Sequence, residues 1–440
     1  MLRGRNADEQ STKYKAQSTR LNAHQLSDSV SPPQSPSAFA ALRHRDFRLL
    51  WLGQIVSVTG SQMQFVAINW HVYLLTKSAF SLGLVGLFRG GPIILCSLIG
   101  GVVADAVDRK RLMIATQSVM LGSAALLGVA TFGGLQSVWP IYVLSALASA
   151  ATAFDIPARQ SLMPSLVPAQ DFPNAVSLGL VVFNVATIAG PSLAGLVLAE
   201  HGPAVVYTIN AASFVAVILA LIGIRASGSP ELRGERRQAL GLGALMEGLR
   251  FVWRTPIIVQ TMTLDFLATF FASATLLLPI FAKEVLHVDA RGYGFLATAP
   301  AVGSVITALV MARMGIFRKQ GRLVVVSVAI YGLATAGFGV SRLFWVSFLL
   351  LAISGAADTV STVLRQTIRQ LSTPNYLRGR MTSINMMFFM GGPQLGELEA
   401  GLLAAVIRAP LAVVVGGLGS LLCACVAAVK SKSLMNYDGN

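Results

Sequence analysis

Only 12% of this 440-residue chain is charged, so the residues with most chemical meaning are the ionisable ones inside apolar stretches. A buried ion is costly without a partner or water, and such a residue marks an ion pair, a gate or a proton relay. Asp265 lies about ten residues into one apolar stretch, roughly 15 Å deep at ~1.5 Å per residue, and is the first candidate for a carboxyl that loads and releases a proton. Asp155, Asp358 and Glu397 compete for that role, and a structural acid bonded to a neighbouring helix is the alternative for Asp265. Arg89 lies similarly deep in a second stretch and is expected to pair with Glu397 or Glu399. Those glutamates, two positions apart, point about 200° apart on a helix, so both cannot face one cavity well. Asp155 and Arg159 stand at i,i+4 spacing, and Asp358 and Arg365 share a face two turns apart. Each pair reads equally as gate charges or as structural pairing with snorkelling side chains.

Gln54, Gln62, Gln64 and Asn69 place neutral polar groups along the first apolar stretch. They suit either a substrate cavity or hydrogen bonds between helices. His71 reads as an interface residue near the end of that stretch. Cys96, Cys423 and Cys425 sit in apolar segments without a nearby His or acidic ligand, and read as packing residues. The chain has no G-x-x-x-x-G-K-[ST] loop and no nucleophile–base or metal constellation of plausible spacing, so no cofactor, metal or catalytic group is expected.

The elements that hold these residues follow from composition. Hydrophobic residues make up 54% of the chain, and a soluble domain would carry about 25% charged residues. The reading is an all-α membrane protein with twelve transmembrane helices, near 47–75, 79–103, 112–133, 138–158, 174–199, 203–224, 255–282, 290–315, 323–341, 343–366, 380–405 and 410–430. A net charge of +15 could suggest nucleic acid, but the basic residues cluster in alternate short loops: Arg43 and Arg45; Arg109 to Arg111; Arg159; Arg225 to Arg237; Arg313 to Arg322; Arg365 to Arg380; Lys430 and Lys432. The opposite side carries only Lys77, Lys283, Arg291, Arg342 and Arg408. This asymmetry excludes a nucleic-acid partner and puts both termini in the cytoplasm. Residues 1–42 form a polar, Ser- and Pro-rich cytoplasmic tail expected to be disordered, with no early apolar segment resembling a secretory signal. Then come a six-helix half (43–224), a cytoplasmic linker (225–254), a second half (255–430) and a tail (431–440).

An internal repeat supports the division. Arg159-Gln160-Ser161 through Pro168 aligns with Arg365-Gln366-Thr367 through Pro374, and at the same offset Gly190 meets Gly396 and Gly195 meets Gly401. Parallel repeats of this kind occur in transporters that rock two halves about a midplane site. Between the second and third helices, Gly101, Asp105, Arg109 and Arg111 belong to a loop whose acid and basic run can bridge to a neighbouring helix end. In the fifth helix Gly190-Pro191-Ser192-Leu193-Ala194-Gly195 combines a lost helix hydrogen bond with small residues, as in a bending or interface helix.

The Gly101–Arg111 loop resembles the motif between helices 2 and 3 of the major facilitator superfamily, with Ala106 and Asp108 where that pattern has Arg and Gly. Leu49 to Gln54, Phe154 to Gln160 and Leu296 to Gly303 resemble the superfamily branch of enterobactin exporters and related secretion or drug-efflux proteins. Gly190, Pro191 and Gly195 are similar to its antiporter motif, with Ala186 and Ala194 replacing glycines. The resemblance implies two pseudo-symmetric six-helix halves in the inner membrane. It also implies proton-coupled export of a siderophore, antibiotic or similar small molecule by alternating access, with the first helix lining the cavity. The bilayer, protons and the substrate are the expected partners, and a monomer is expected. An uptake symporter on the same fold is the alternative; a non-transporting sensor or an intramembrane enzyme is remoter.

Overall fold

The computed structural model describes residues 39–226, 242–273, 275–314, 318–374 and 377–438. The helices are α1 (Arg45–Thr76), α2 (Ala79–Ala106), α3 (Arg109–Phe132) and α4 (Trp139–Leu162). The stretch Phe172–Gly223 is broken at Gly202, whose φ of 75° only glycine adopts readily, and Pro203 starts a new helix. We label its parts α5 (172–201) and α6 (203–223). The second half comprises α7 (Pro256–Val285), α8 (Ala290–Met314), α9 (Gln320–Val340), α10 (Phe344–Leu371), α11 (Arg378–Ile407) and α12 (Ala409–Lys430). Among the described residues nine helical stretches are long and apolar enough to cross a membrane, the broken one counted once. Neither the 32-residue α1 nor α11 is among them; in α1 the glutamines and Asn69 dilute the apolar content.

Local signals set the boundaries. Lys77 takes a left-handed conformation at the end of α1, and Ser78 caps α2 by accepting from the Ser81 amide. Asp108 caps α3, accepting from Arg111 N at 2.9 Å, while Lys110 Nζ donates to the Ile224 carbonyl at 2.7 Å beyond the end of α6. The start of α1 and the end of α12 share one side, here the tail side; the opposite side is the far side.

Packing divides the molecule into halves that meet on the far side. One apolar cluster joins both halves there, from Ile68, Trp70 and Leu82 to Leu277, Phe281 and Val413. Two others lie toward the tail side, one within each half: Phe47, Met113 and Leu221, and Val324, Leu364 and Ala424. Three polar contacts between the halves also lie toward the far side. Tyr73 donates to Glu284 at 2.7 Å, Tyr293 to the Val66 carbonyl at 3.2 Å, and Arg291 pairs with Glu200 at 2.9 Å. Trp70 stacks on Tyr293 with centroids 5.0 Å apart. The far side is closed.

The repeat has a structural counterpart. A Cβ on Gly190 would lie 2.5 Å from Gln62 Cβ of α1, and one on Gly396 would collide with Phe270 of α7. A Cβ on Gly195 would lie 2.8 Å from Gly294 Cα of α8, and one on Gly401 2.5 Å from Gly83 Cα of α2. Each aligned pair thus performs the same packing, first within its half and then across the seam.

Ordered structure starts before residue 43: Ala40–Arg43 form a turn, and Ala41 N donates to Asn174 Oδ1 at 3.0 Å. The 431–440 tail is docked, with Ser433 Oγ donating to Gln260 Oε1 at 2.6 Å and Gly321 N to the Tyr437 carbonyl at 3.2 Å. Within the 225–254 linker, helix Leu242–Arg254 places Val252 against Ile258, Met262 and Met381. Residues 1–38 and 227–241 lie outside the described residues.

Candidate cavity and buried charge network

Between the halves lies a cavity of about 360 Å³. α1 contributes Gln62 and Asn69, α5 contributes Asn184 and Thr187, α8 contributes Tyr293, and α10 contributes Asp358. The walls mix apolar side chains with a similar number of neutral polar ones and one carboxylate, a lining that could hold a small, partly polar molecule. Asn69 borders this space, and its Oδ1 is buried without a hydrogen-bond partner among the described residues. Of the four polar residues expected on α1, Gln62 and Asn69 line this space. Gln64 and Gln54 do not: Gln64 accepts from Asn210 Nδ2 of α6 at 2.7 Å, and Gln54 from Arg159.

Asp265 is not an isolated acid. Its Oδ1 lies 2.7 Å from Arg365 Nη2 of α10, and its Oδ2 lies 3.8 Å from Arg369 Nη1. Arg365 is also 3.8 Å from Asp358 and donates to Ser361 Oγ at 2.7 Å and Thr362 Oγ1 at 3.0 Å. The side chains of Arg365, Arg369 and Asp265 are 1%, 3% and 7% exposed, whereas Asp358 is 44% exposed. Two guanidiniums and two carboxylates balance in charge, and only Asp358 reaches the cavity. Asp265 is therefore tied to a neighbouring helix by two arginines, the alternative stated for it above. Arg369 went unnoticed because a basic residue near a helix end reads as a topological signal. Its place one turn beyond Arg365 was the available clue.

The first half repeats the arrangement with one change. Arg159, aligned with Arg365, donates to Gln54 of α1 and stands 4.0 Å from Asp155 of its own helix. Asp155 Oδ1 accepts from Thr116 Oγ1 at 3.1 Å and Gln117 Nε2 at 2.9 Å. Thus an arginine on the fourth helix reaches to the first in both halves. Its partner there is a neutral amide in one half and a carboxylate in the other.

The sequence matches the transmembrane secretion effector family over residues 36–438. The chain belongs to that family. Enterobactin exporter EntS of Shigella boydii serotype 18 is 25% identical over 381 residues, 86% of this chain and 90% of the relative, and EntS of Escherichia coli O81 matches equally. Solved structures share the fold. A bacterial homologue of the iron transporter ferroportin in an inward-facing state has a TM-score of 0.67 and 15% identity, covering 89% of this chain and 99% of that one. The nucleoside transporter NupG has a TM-score of 0.64 and 14% identity, covering 89% and 99%. This secretion-effector chain is accordingly a major facilitator transporter, not an enzyme.

Its remaining sequence candidates divide clearly. Arg89 rests on the Phe65 ring, 4.1 Å from guanidinium carbon to centroid. Glu397 lies against Gly86 in the same α2–α11 contact, where its charge acts on Arg89, but among the described residues no ion pair within 4 Å joins them. Glu399 is corrected as a partner for Arg89. It faces an apolar groove with Phe270, Leu402 and Val406, on the side of α11 that the two-residue offset imposes. In the loop motif Gly101 faces open space, and the tight contact is Gly100 on the Ala153 carbonyl. The Arg111 amide completes the Asp108 cap, and Arg109 Nε is buried without a partner. The Asp105 side chain lies outside the described residues.

Proposed function

We propose that this transporter exports a small, partly apolar molecule in exchange for protons, with Asp358 as the group that proton and substrate share. The observation that carries the reading is the half-exposed carboxylate on the cavity wall, 3.8 Å from an arginine otherwise committed to Asp265. Ionised, Asp358 balances the network and offers an acceptor to a hydroxyl or ammonium of the substrate. Protonated, it loses that charge, so proton and substrate compete for one site, as exchange requires. The basic loops make the tail side cytoplasmic, and closure on the far side then corresponds to an inward-open state ready to load from within.

The family description and the relatives named as enterobactin exporters support export, and make a siderophore the first substrate to test. The test uses inside-out vesicles given an inward-acid gradient: labelled siderophore should accumulate, and dissipating the gradient should release it. Accumulation that is indifferent to the gradient would remove proton coupling. Accumulation only with the opposite gradient polarity would favour the uptake symporter.

A further inference from the structure

The five basic residues at the far ends of the helices are dispersed in sequence. Two are engaged there: Arg291 with Glu200 at 2.9 Å, and Lys283 over the Trp70 ring at 5.5 Å. Lys77, Arg342 and Arg408 border a single far-side cavity of about 1070 Å³, together with His287. Among the described residues none of these three cations has an ion-pair partner. The wall's one carboxylate, Glu284, already accepts from Tyr73 at 2.7 Å. α12 begins at this cavity with no side-chain cap, which adds the positive end of a helix dipole. The same wall also carries apolar residues, among them Val340, Ala405, Leu411 and Val414.

Lys77 comes from the first half and Arg342 and Arg408 from the second, so the cavity spans the seam closed by Gly83 and Gly401. Three like charges facing one another across a seam oppose its closure. We propose that this cavity binds a phosphate-bearing anion, a phospholipid headgroup or free phosphate, and that the bound anion clamps the halves shut on the far side. Opening that side draws Lys77 away from the two arginines, so the anion binds the open state more weakly. A ligand with that difference in affinity shifts the population toward closure. The apolar residues in the same wall suit an acyl chain, which favours the headgroup as source. The inference rests on far-side closure and is independent of what the transporter carries.

The test uses the full chain in nanodiscs, with Cys96, Cys423 and Cys425 replaced by serine and spin labels on Gln136→Cys and Trp345→Cys, one in each half. Discs hold phosphatidylcholine alone, phosphatidylcholine with phosphatidylglycerol, or phosphatidylcholine with added inorganic phosphate. The anion should raise the ratio of short to long far-side distances about threefold or more. Lys77→Gln, Arg342→Gln and Arg408→Gln together should abolish the response. Each single substitution should weaken it, which guards against misfolding of the triple variant, and Lys430→Gln on the tail side should retain it. A response to phosphatidylglycerol alone identifies the headgroup, and an equal response to inorganic phosphate identifies the free anion. No response to either, or an undiminished response in the triple variant, overturns the proposal.

Discussion

Asp265→Asn and Asp358→Asn remove the same charge from the two ends of one network, and the structure assigns them opposite consequences. Asp265 touches Arg365 at 2.7 Å and lies 3.8 Å from Arg369, and all three side chains are at least nine-tenths buried. Asparagine at 265 leaves two buried guanidiniums facing one half-exposed carboxylate. Removing one partner of a buried pair costs about 3–5 kcal/mol, close to the ~4 kcal/mol of Coulomb energy for charges about 4 Å apart at an effective dielectric of about 20. Asp358 is 44% exposed and 3.8 Å from Arg365, so its loss should cost about 0.2–1 kcal/mol, as for an exposed pair. Thermal unfolding of the purified protein should show a large fall for Asp265→Asn and little change for Asp358→Asn. In proteoliposomes Asp358→Asn should lose proton-driven accumulation yet retain substrate counterflow. The reasoning is refuted if Asp265→Asn unfolds with the wild type while Asp358→Asn still transports uphill.

Three further outcomes follow from the geometry. Gly195→Val and Gly401→Val each place atoms within 2.8 Å of the opposing backbone; both should hold the far side open, raising labelling of Ala404→Cys from that side about tenfold, and unchanged labelling would contradict the packing role. Tyr73→Phe removes a charge-assisted bond to Glu284 and should weaken far-side closure by about 1.5–3 kcal/mol, read by the same labelling. Reporter fusions at Gly234 and Gly134 should report opposite compartments, and a shared compartment would break the twelve-helix topology.

The spans were legible because apolar runs of membrane length leave few alternatives, and the break at Gly202 was marked by the Gly202-Pro203 pair. The Asp155–Arg159 and Asp358–Arg365 proximities were legible too, since helical spacing alone fixes which residues share a face. The partner of Asp265 was not, because α7 and α10 meet only through tertiary packing and no local pattern encodes which of several buried cations comes closest. The same gap explains α1: its polar residues were visible, but the rotation that sends Gln62 to the cavity, Gln64 to Asn210 and Gln54 to Arg159 is set by neighbouring helices. For Glu397 and Glu399 the angle between them followed from helix geometry, and only packing showed which one faces α2.

The unequal repeat bears on how the halves could divide their work. In the first half the acid and arginine, Asp155 and Arg159, ride on one helix, and the link from α4 to α1 runs through the neutral amide of Gln54. A change in protonation nearby leaves that link in place, because the amide carries no titratable group. In the second half Arg365 has an acid on each of two helices, Asp358 on its own and Asp265 on the facing one, so the Asp265–Arg365 pair itself ties α7 to α10. Serine occupies the position one turn before Arg365, where Asp155 stands relative to Arg159. Any redistribution of Arg365 between Asp265 and Asp358 therefore changes the force between two helices that wall the cavity. Under proton exchange at Asp358, the second half would carry the response and the first would serve as the frame. Replacing Gln54 by Glu should then make the first half responsive as well, shifting the pH dependence of transport, whereas Gln54→Ala should loosen α1 from α4 without that shift. Identical pH profiles for Gln54→Glu and the wild type would count against a division set by these two partners.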